Sequence, residues 1–325
     1  PSASAISSSW NPELVEAIGR ALGEEARTKQ AHVLLGPTVN MHRSPLGGRH
    51  FETYSEDPVL TARLAVAFVK GVQSQDVAVS VKHFVANDSE FERHTIDSVV
   101  SERALREIYL VPFEAAVREA SAWTIMGAYN AVNGPPACAH RELLHTILKE
   151  EWGFDGLVVS DWFALKDTVG PGAGGLDLEM PGPARHFGPA LAEAVEKGLV
   201  EERELDDKAL RILRIMERTG ALDATEPEPE EQAVDREDHR ALARRAATEG
   251  LVLLRNEGGV LPLDDPAIRR VAVIGPNAAL TCLQGGGSAR VEPHYETHVL
   301  DSLRDAFGER VDVVHEPGCT SHKSL

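Results

Sequence analysis

Three short apolar runs in this sequence end on residues that can do chemistry. The run 77–81 leads into Lys82-His83, 124–128 into Tyr129-Asn130, and 156–160 into Asp161-Trp162. Each ending has a plain structural reading. Asp161 suits the cap of a following helix, Lys82-His83 a solvated strand end, and Tyr129 a core aromatic with its hydroxyl satisfied. In parallel α/β barrels, however, chemistry sits where strands end at their carboxyl side, and three such endings on one mouth weigh against three coincidences. A carboxylate beside Lys, His and Arg is expected to stay ionised at neutral pH, because nearby positive charge favours its charged form. Charged donors with an aromatic platform describe a sugar pocket, with hydroxyls to bond and an apolar ring face for Trp162 to cover. A single ionised carboxylate aimed at an anomeric carbon is a nucleophile for retaining glycoside hydrolysis.

The elements that must position these groups are legible in the pattern. Asn11 can cap a helix, Pro12 suits its first position, and Leu14, Val15, Ile18, Leu22 and Ala26 keep helical spacing. Apolar strands at 32–35, 77–81, 124–128 and 156–160 alternate with longer periodic segments, which predicts a parallel sheet with right-handed crossovers. Their continuous apolar character predicts cover on both faces. Ser101 precedes a helix carrying Leu105, Ile108, Phe113, Ala116 and Val117, with a kink expected at Pro112. Leu143, Leu144, Ile147 and Leu148 form a further stripe, stopped near Gly153. Residues 223–238 hold eight acidic residues and one basic, with Pro227 and Pro229, a composition that makes an extended connector. Beyond it come an expected helix over 239–248, apolar runs at 251–254, 271–275 and 311–315, and a helix near 300–307.

Composition narrows the function classes. At 325 residues the chain is too long for one ordinary core. It has 42% hydrophobic and 26% charged residues, which is globular rather than disordered. Thirty-three Lys and Arg against 51 Asp and Glu leave a net charge of −18, so no nucleic acid is expected as a partner. No apolar run approaches the roughly 20 residues that span a bilayer, so no membrane partner is expected either. Cys138, Cys282 and Cys319 lie far apart without CxxC spacing, which points to no metal site, no cofactor and no disulfide framework. The chain starts at Pro1 without a leader-like segment. Compartment and oligomeric state stay open, a homo-oligomer among the options.

The run Gly47-Gly48-Arg49-His50-Phe51-Glu52-Thr53-Tyr54-Ser55-Glu56-Asp57-Pro58 resembles the glycoside hydrolase family 3 β-glucosidases. So do Lys82-His83-Phe84-Val85-Ala86-Asn87, Met126-Gly127-Ala128-Tyr129-Asn130, Val158-Val159-Ser160-Asp161-Trp162 and Gly175-Leu176-Asp177-Leu178-Glu179-Met180-Pro181-Gly182. The motifs stand in family order and cover essentially the whole chain. The resemblance implies a (β/α)8-like TIM barrel, incomplete at its N-terminus, over 1–222. It further implies an acidic linker over 223–238 and the start of an α/β sandwich domain over 239–325. It implies that Asp161 is the catalytic nucleophile, and that Arg49, Lys82, His83, Arg93 and Tyr129 hold the hydroxyls of the sugar. Met126 and Trp162 are then apolar walls, and Ser288, in Gly285-Gly286-Gly287-Ser288, a residue contributed by the second domain. A phosphate loop is the other reading of that glycine run, but it lacks the GK[ST] ending. Tyr129 is expected also to orient Asp161, and Glu52, Glu56 and Asp57 to fold the loop around Arg49. The expected substrate is a β-glucoside or short β-gluco-oligosaccharide.

Departures from the pattern matter too. The family's first barrel strand carries a sugar-binding Asp that this chain does not show, and its acid/base Glu is expected beyond Leu325. Of Glu249, Glu257, Glu292 and Glu316, only Glu292 is near enough to Ser288 in sequence to be weighed for that role. The stretch 166–174 is Gly/Pro-rich where the family has a short helix, so the loop flanking Asp161 is expected to differ. A β-xylosidase is the nearest competing activity. The family's N-acetylglucosaminidase branch fits less well, because Val85-Ala86-Asn87-Asp88 follows Lys-His-Phe here. Two other classes are a barrel lyase using Lys82 as a Schiff base and a non-catalytic sugar-binding remnant.

Overall fold

In the computed structural model, which describes residues 1–225 and 229–320, local chemistry starts the helices as anticipated. After a short helix α1 (Ala3–Ser7), helix α2 (Pro12–Thr28) begins where Asn11 Oδ1 accepts the Leu14 N–H at 3.1 Å. Strand β1 (Val33–Leu34) follows, then α3 (Pro58–Gln73), capped by Asp57, and β2 (Ala78–Phe84). A short strand β3 (Asp97–Ser98) precedes α4 (Glu102–Ala104), where Ser101 Oγ accepts from Ala104 N–H. The chain then passes through a π-helical turn, Leu105–Tyr109, into α5 (Val111–Ala120). That change of helix type falls beside Pro112, which has no N–H to continue a regular ladder. Strands β4 (Thr124–Gly127), β5 (Ala131–Val132) and β6 (Leu157–Ser160) complete the series, with a π-helical segment Glu142–Glu151 before β6.

The main sheet has the order β1-β2-β4-β6, every pair parallel, and β3 pairs with β5 in a separate ribbon. The crossovers put α3, α5 and the 142–151 helix against one face, where Val79, Val81, Ile125 and Val158 join their apolar stripes. Ala78, Met126, Leu157 and Val159 alternate with them and form a smaller cluster on the other face. Burial on both sides explains why the strands read as unbroken apolar runs. This is the TIM-barrel-like α/β fold, with the sheet open among the described residues. A parallel bridge from Val159 to Leu178 extends it beyond β6.

Buried charges lock the strand that carries Asp161. Lys149 Nζ donates to Asp177 Oδ1 at 2.6 Å, and Asp177 Oδ2 accepts the Val158 N–H at 2.8 Å. Arg211 donates to the carbonyls of Phe154 and Gly156 from helix α8 (Glu202–Arg218), which follows α6 (Val169–Gly174) and α7 (Pro189–Glu196). Six of the nine residues over 166–174 form α6, so the segment flanking Asp161 does carry a short helix. Its glycines serve close packing, since a Cβ on Gly174 would lie 2.8 Å from the Ala139 carbonyl oxygen.

The chain divides into two compact units, Pro1–Leu251 and Val252–Leu325. Pro227 of the acidic stretch lies outside the described residues, and 229–236 has no regular structure. Helix α9 (Glu237–Glu249) belongs to the first unit, where His239 meets Glu25 at 2.7 Å and Asn11 donates to Glu249. In the second unit β7 (Arg270–Ile274) and β8 (Asp312–Glu316) pair in parallel around α10 (Val299–Phe307). The apolar run 251–254 has no regular structure and its side chains are exposed. A strand needs a ladder partner, and among the described residues β7 and β8 pair only with each other.

Candidate active site

Three strand ends meet as the sequence suggested. The pairing of β2 with β4 shifts register between Val81 and Phe84, which lets the consecutive Lys82 and His83 both reach the mouth rather than alternate across the sheet. Lys82 is tied in turn to 37–39 by backbone bonds from Lys82 N–H to Pro37 and from Val39 N–H to the Lys82 carbonyl. Beyond β4 stands Tyr129, and beyond β6 stands Asp161, whose N–H donates to the Gly127 carbonyl at 3.1 Å.

Asp161 is 7% exposed and caps no helix, for α6 starts only at Val169. Its Oδ1 accepts the Trp162 N–H at 2.7 Å. Its Oδ2 is buried with no hydrogen bond of normal geometry, and His83 Nε2 lies 3.4 Å from it. Burial raises the Asp161 pKa above the usual carboxylate value, and the Trp162 N–H, Tyr129, Arg49 and Lys82 pull back only part of that rise. Desolvation is the larger effect here, and one of the supposed cations carries no charge. Burial, then Arg49, Lys82 and Arg93, push His83 well below its ordinary value, so it is neutral.

The loop of Gly47–Pro58 delivers Arg49 through Glu52. Glu52 Oε1 accepts from Arg49 Nε, while its Oε2 faces Lys82 Nζ at 3.9 Å and Thr38 Oγ1 at 3.4 Å. One carboxylate thus holds two cations at fixed separation. Burial depresses the Lys82 pKa, with Glu52 and Asp161 acting against the fall. Arg49 Nη1 donates to His83 Nε2 at 3.1 Å. Arg93, paired with Glu90 at 2.9 Å, lies over the Tyr129 ring at 4.6 Å from its centroid, and the His94 ring tilts against Tyr129 at 4.3 Å. Burial first, and then the charge of Asp161, raise the Tyr129 phenol.

Met126 is buried in the inner apolar cluster, with Trp162 packed against it. Of the remaining sequence candidates, Ser288 lies in the second unit on an exposed 3₁₀ turn, Gly287–Ala289. Glu292 is exposed and paired with Arg290 at 2.6 Å. Sequence reasoning missed Asn40, which is 5% exposed and bonded three times to His83. Its only signal was a lone amide between Val39 and Met41, both of which are buried. Among the described residues no group of His, Cys, Asp or Glu is arranged to hold a metal, and no helix is long and apolar enough to cross a membrane.

Comparison with known proteins agrees with this arrangement. The profile of the glycosyl hydrolase family 3 N terminal domain matches residues 1–215, and that of the family's C-terminal domain matches 251–322. A beta-glucosidase of Rhizobium radiobacter is 50% identical over 325 residues, covering 100% of this chain and 40% of that protein. A probable beta-glucosidase I of Aspergillus flavus is 43% identical over 325 residues, 38% of its length. Among solved structures, the GH3 beta-glucosidase of Bifidobacterium adolescentis superposes with a TM-score of 0.89 at 39% identity, over 100% of this chain and 46% of that one. The beta-glucosidase of Kluyveromyces marxianus in complex with glucose gives 0.92 at 38% identity, over 100% and 39%. The chain spans less than half the length of each of these relatives. Because one family profile takes in more than half of the sequence, and the strand-end motifs carry the geometry described above, the chain belongs to glycosyl hydrolase family 3.

Proposed function

We propose that this chain carries the nucleophile and sugar-binding side of a retaining, exo-acting β-glucosidase that removes terminal β-D-glucosyl residues. The observation that carries the reading is Asp161: a buried carboxylate at a strand end, one oxygen anchored by Trp162 N–H and the other unbonded. In the proposed reaction the free Oδ2 attacks the anomeric carbon and forms a glycosyl ester. The bond to the aglycone oxygen breaks, and that oxygen takes a proton from a second carboxyl group. Water then hydrolyses the ester and returns Asp161 to its ionised form. Arg49 offers a planar fork for two vicinal oxygens and Lys82 a point donor, both held by Glu52. Arg93 and Tyr129 complete the polar wall, with Trp162 against the ring face and Met126 beneath it. Ser288 is included on the family likeness alone. Glucose as the sugar is supported by the names of the relatives and by the glucose complex of the Kluyveromyces protein.

A 2-deoxy-2-fluoro-glucoside with a good leaving group tests this. The expected result is a trapped covalent adduct that peptide mapping assigns to Asp161, formed faster than with the matching xyloside. A label on any other residue overturns the assignment, and faster trapping by the xyloside overturns the choice of sugar.

A further inference from the structure

The tautomer of His83 can be read from its neighbours. A backbone N–H can only donate, so the Asn40 side-chain atom 2.9 Å from His83 N is the amide oxygen, Oδ1. A backbone carbonyl can only accept, so the atom 2.9 Å from the His83 oxygen is Nδ2. These two contacts fix the orientation of the Asn40 amide. The same Oδ1 then lies 3.1 Å from His83 Nδ1, and an acceptor facing a ring nitrogen requires a proton on that nitrogen. On the far side of the ring, Nε2 lies 3.1 Å from Arg49 Nη1, which has no capacity to accept. A proton on Nδ1 and a lone pair on Nε2 satisfy both neighbours. No other form of the ring does. The third neighbour of Nε2 is Asp161 Oδ2 at 3.4 Å, and with no proton between them that oxygen is left without a hydrogen bond.

We propose that Asn40 is a positioning residue that holds His83 in its Nδ1–H form, so that His83 presents a hydrogen-bond acceptor and leaves Asp161 Oδ2 unbonded. The consequence for catalysis rests on the proposed glycosidase activity; the tautomer itself does not. The single lone pair of His83 Nε2 is then taken by the Arg49 N–H, so that His83 holds the guanidinium in place beside the sugar site. A ring protonated at Nε2 would face the Arg49 guanidinium with a donor and would bond the nucleophilic oxygen of Asp161.

The protein with ¹⁵N-labelled histidine decides this through two-bond proton–nitrogen correlations, with the His83 pattern assigned from its loss in His83→Gln. The expected wild-type pattern at neutral pH is Nδ1 protonated and Nε2 unprotonated. In Asn40→Leu the ratio of Nδ1–H to Nε2–H should fall by about tenfold, the weight of one neutral hydrogen bond. Asn40→Asp, which keeps an acceptor against Nδ1, should never show Nε2–H alone. A wild-type ring protonated at Nε2 overturns the proposal, and this arm stands even if Asn40→Leu does not fold. An unchanged Nδ1–H form in folded Asn40→Leu overturns it equally. Failure of the wild type to trap the fluoro-glucoside would count against the glycosidase reading and leave the spectrum to decide the tautomer.

Discussion

Lys82 sits in a contest between burial, which draws its ammonium towards the neutral form, and Glu52 with Asp161, which keep it charged. A charge held in such a setting interacts strongly with developing charge nearby, and contacts to sugar hydroxyls tighten as the oxocarbenium ion forms. Lys82→Ala is therefore expected to lower kcat and kcat/KM together, by roughly 10- to 100-fold. A rise in KM alone would mean that the contact binds ground state and transition state alike. Asp88 offers a second test at this scale. It accepts the Met41 N–H at 3.0 Å beside the arm that carries Asn40, and burial raises its pKa to about 6 against the pull of that bond, Arg43 and His50. A carboxyl group with a folded pKa above its unfolded value stabilises the fold below the unfolded value, and that contribution is lost as pH rises through the folded one. Between pH 4 and 6.5 the wild type should lose about 1–2 kcal/mol that Asp88→Asn does not lose, allowing for partial exposure. Parallel pH dependences in denaturant titrations of the two proteins would refute this.

The elements are held by close backbone approach as much as by side chains. Helices α2 and α3 meet through Gly19 and Gly71, and a Cβ on Gly71 would lie 2.2 Å from the Glu16 carbonyl oxygen. That atom belongs to backbone and cannot rotate away. Gly71→Ala should therefore destabilise the first unit by about 1–3 kcal/mol, even though alanine favours helix by about 1 kcal/mol at an exposed position. A urea midpoint at or above that of the wild type would show that the helices separate at little cost. Sequence pattern located these elements well wherever the cause was local. Asn11 and Ser101 each accept a backbone N–H at a helix start, as their positions before periodic segments suggested, and Asp57, expected only to fold the loop around Arg49, caps α3 in the same way. The pattern was silent where the cause was not local: the glycines of 169–174 report tight packing in α6, and the apolar run 251–254 found no partner strand among the described residues.

At the scale of the whole molecule the open question is the second carboxyl group. Retaining hydrolysis needs one roughly 5–5.5 Å from the nucleophile. The acids around Asp161 are otherwise engaged: Glu52 holds Arg49 and Lys82, Glu90 holds Arg93, and Asp88 accepts from Met41. Glu292 of the second unit is exposed and paired with Arg290, the opposite of the secluded setting that keeps a carboxylic acid protonated. Glu292→Gln is accordingly expected to leave hydrolysis of glucosides with poor leaving groups within about twofold of the wild type. Collapse of that activity, with survival on a dinitrophenyl glucoside and rescue by azide, would make Glu292 the acid.

The sequence by itself determined where the main-sheet strands fall and where the helices begun by Asn11 and Ser101 start, because continuous apolar runs, caps and prolines act over a few residues. It also determined that Lys82, Tyr129 and Asp161 stand at strand ends, since position after an apolar run is a one-dimensional property. Tertiary structure decided how those groups behave. That burial outweighs positive charge at Asp161, that His83 is neutral, and that Glu52 serves two cations all depend on what lies across the sheet. Asn40 is the clearest case: 43 positions from His83 in the chain, its role exists only once parallel pairing has brought β1 and β2 side by side. Desolvation and hydrogen-bond geometry are properties of three-dimensional neighbourhoods, and no local pattern in the chain encodes them.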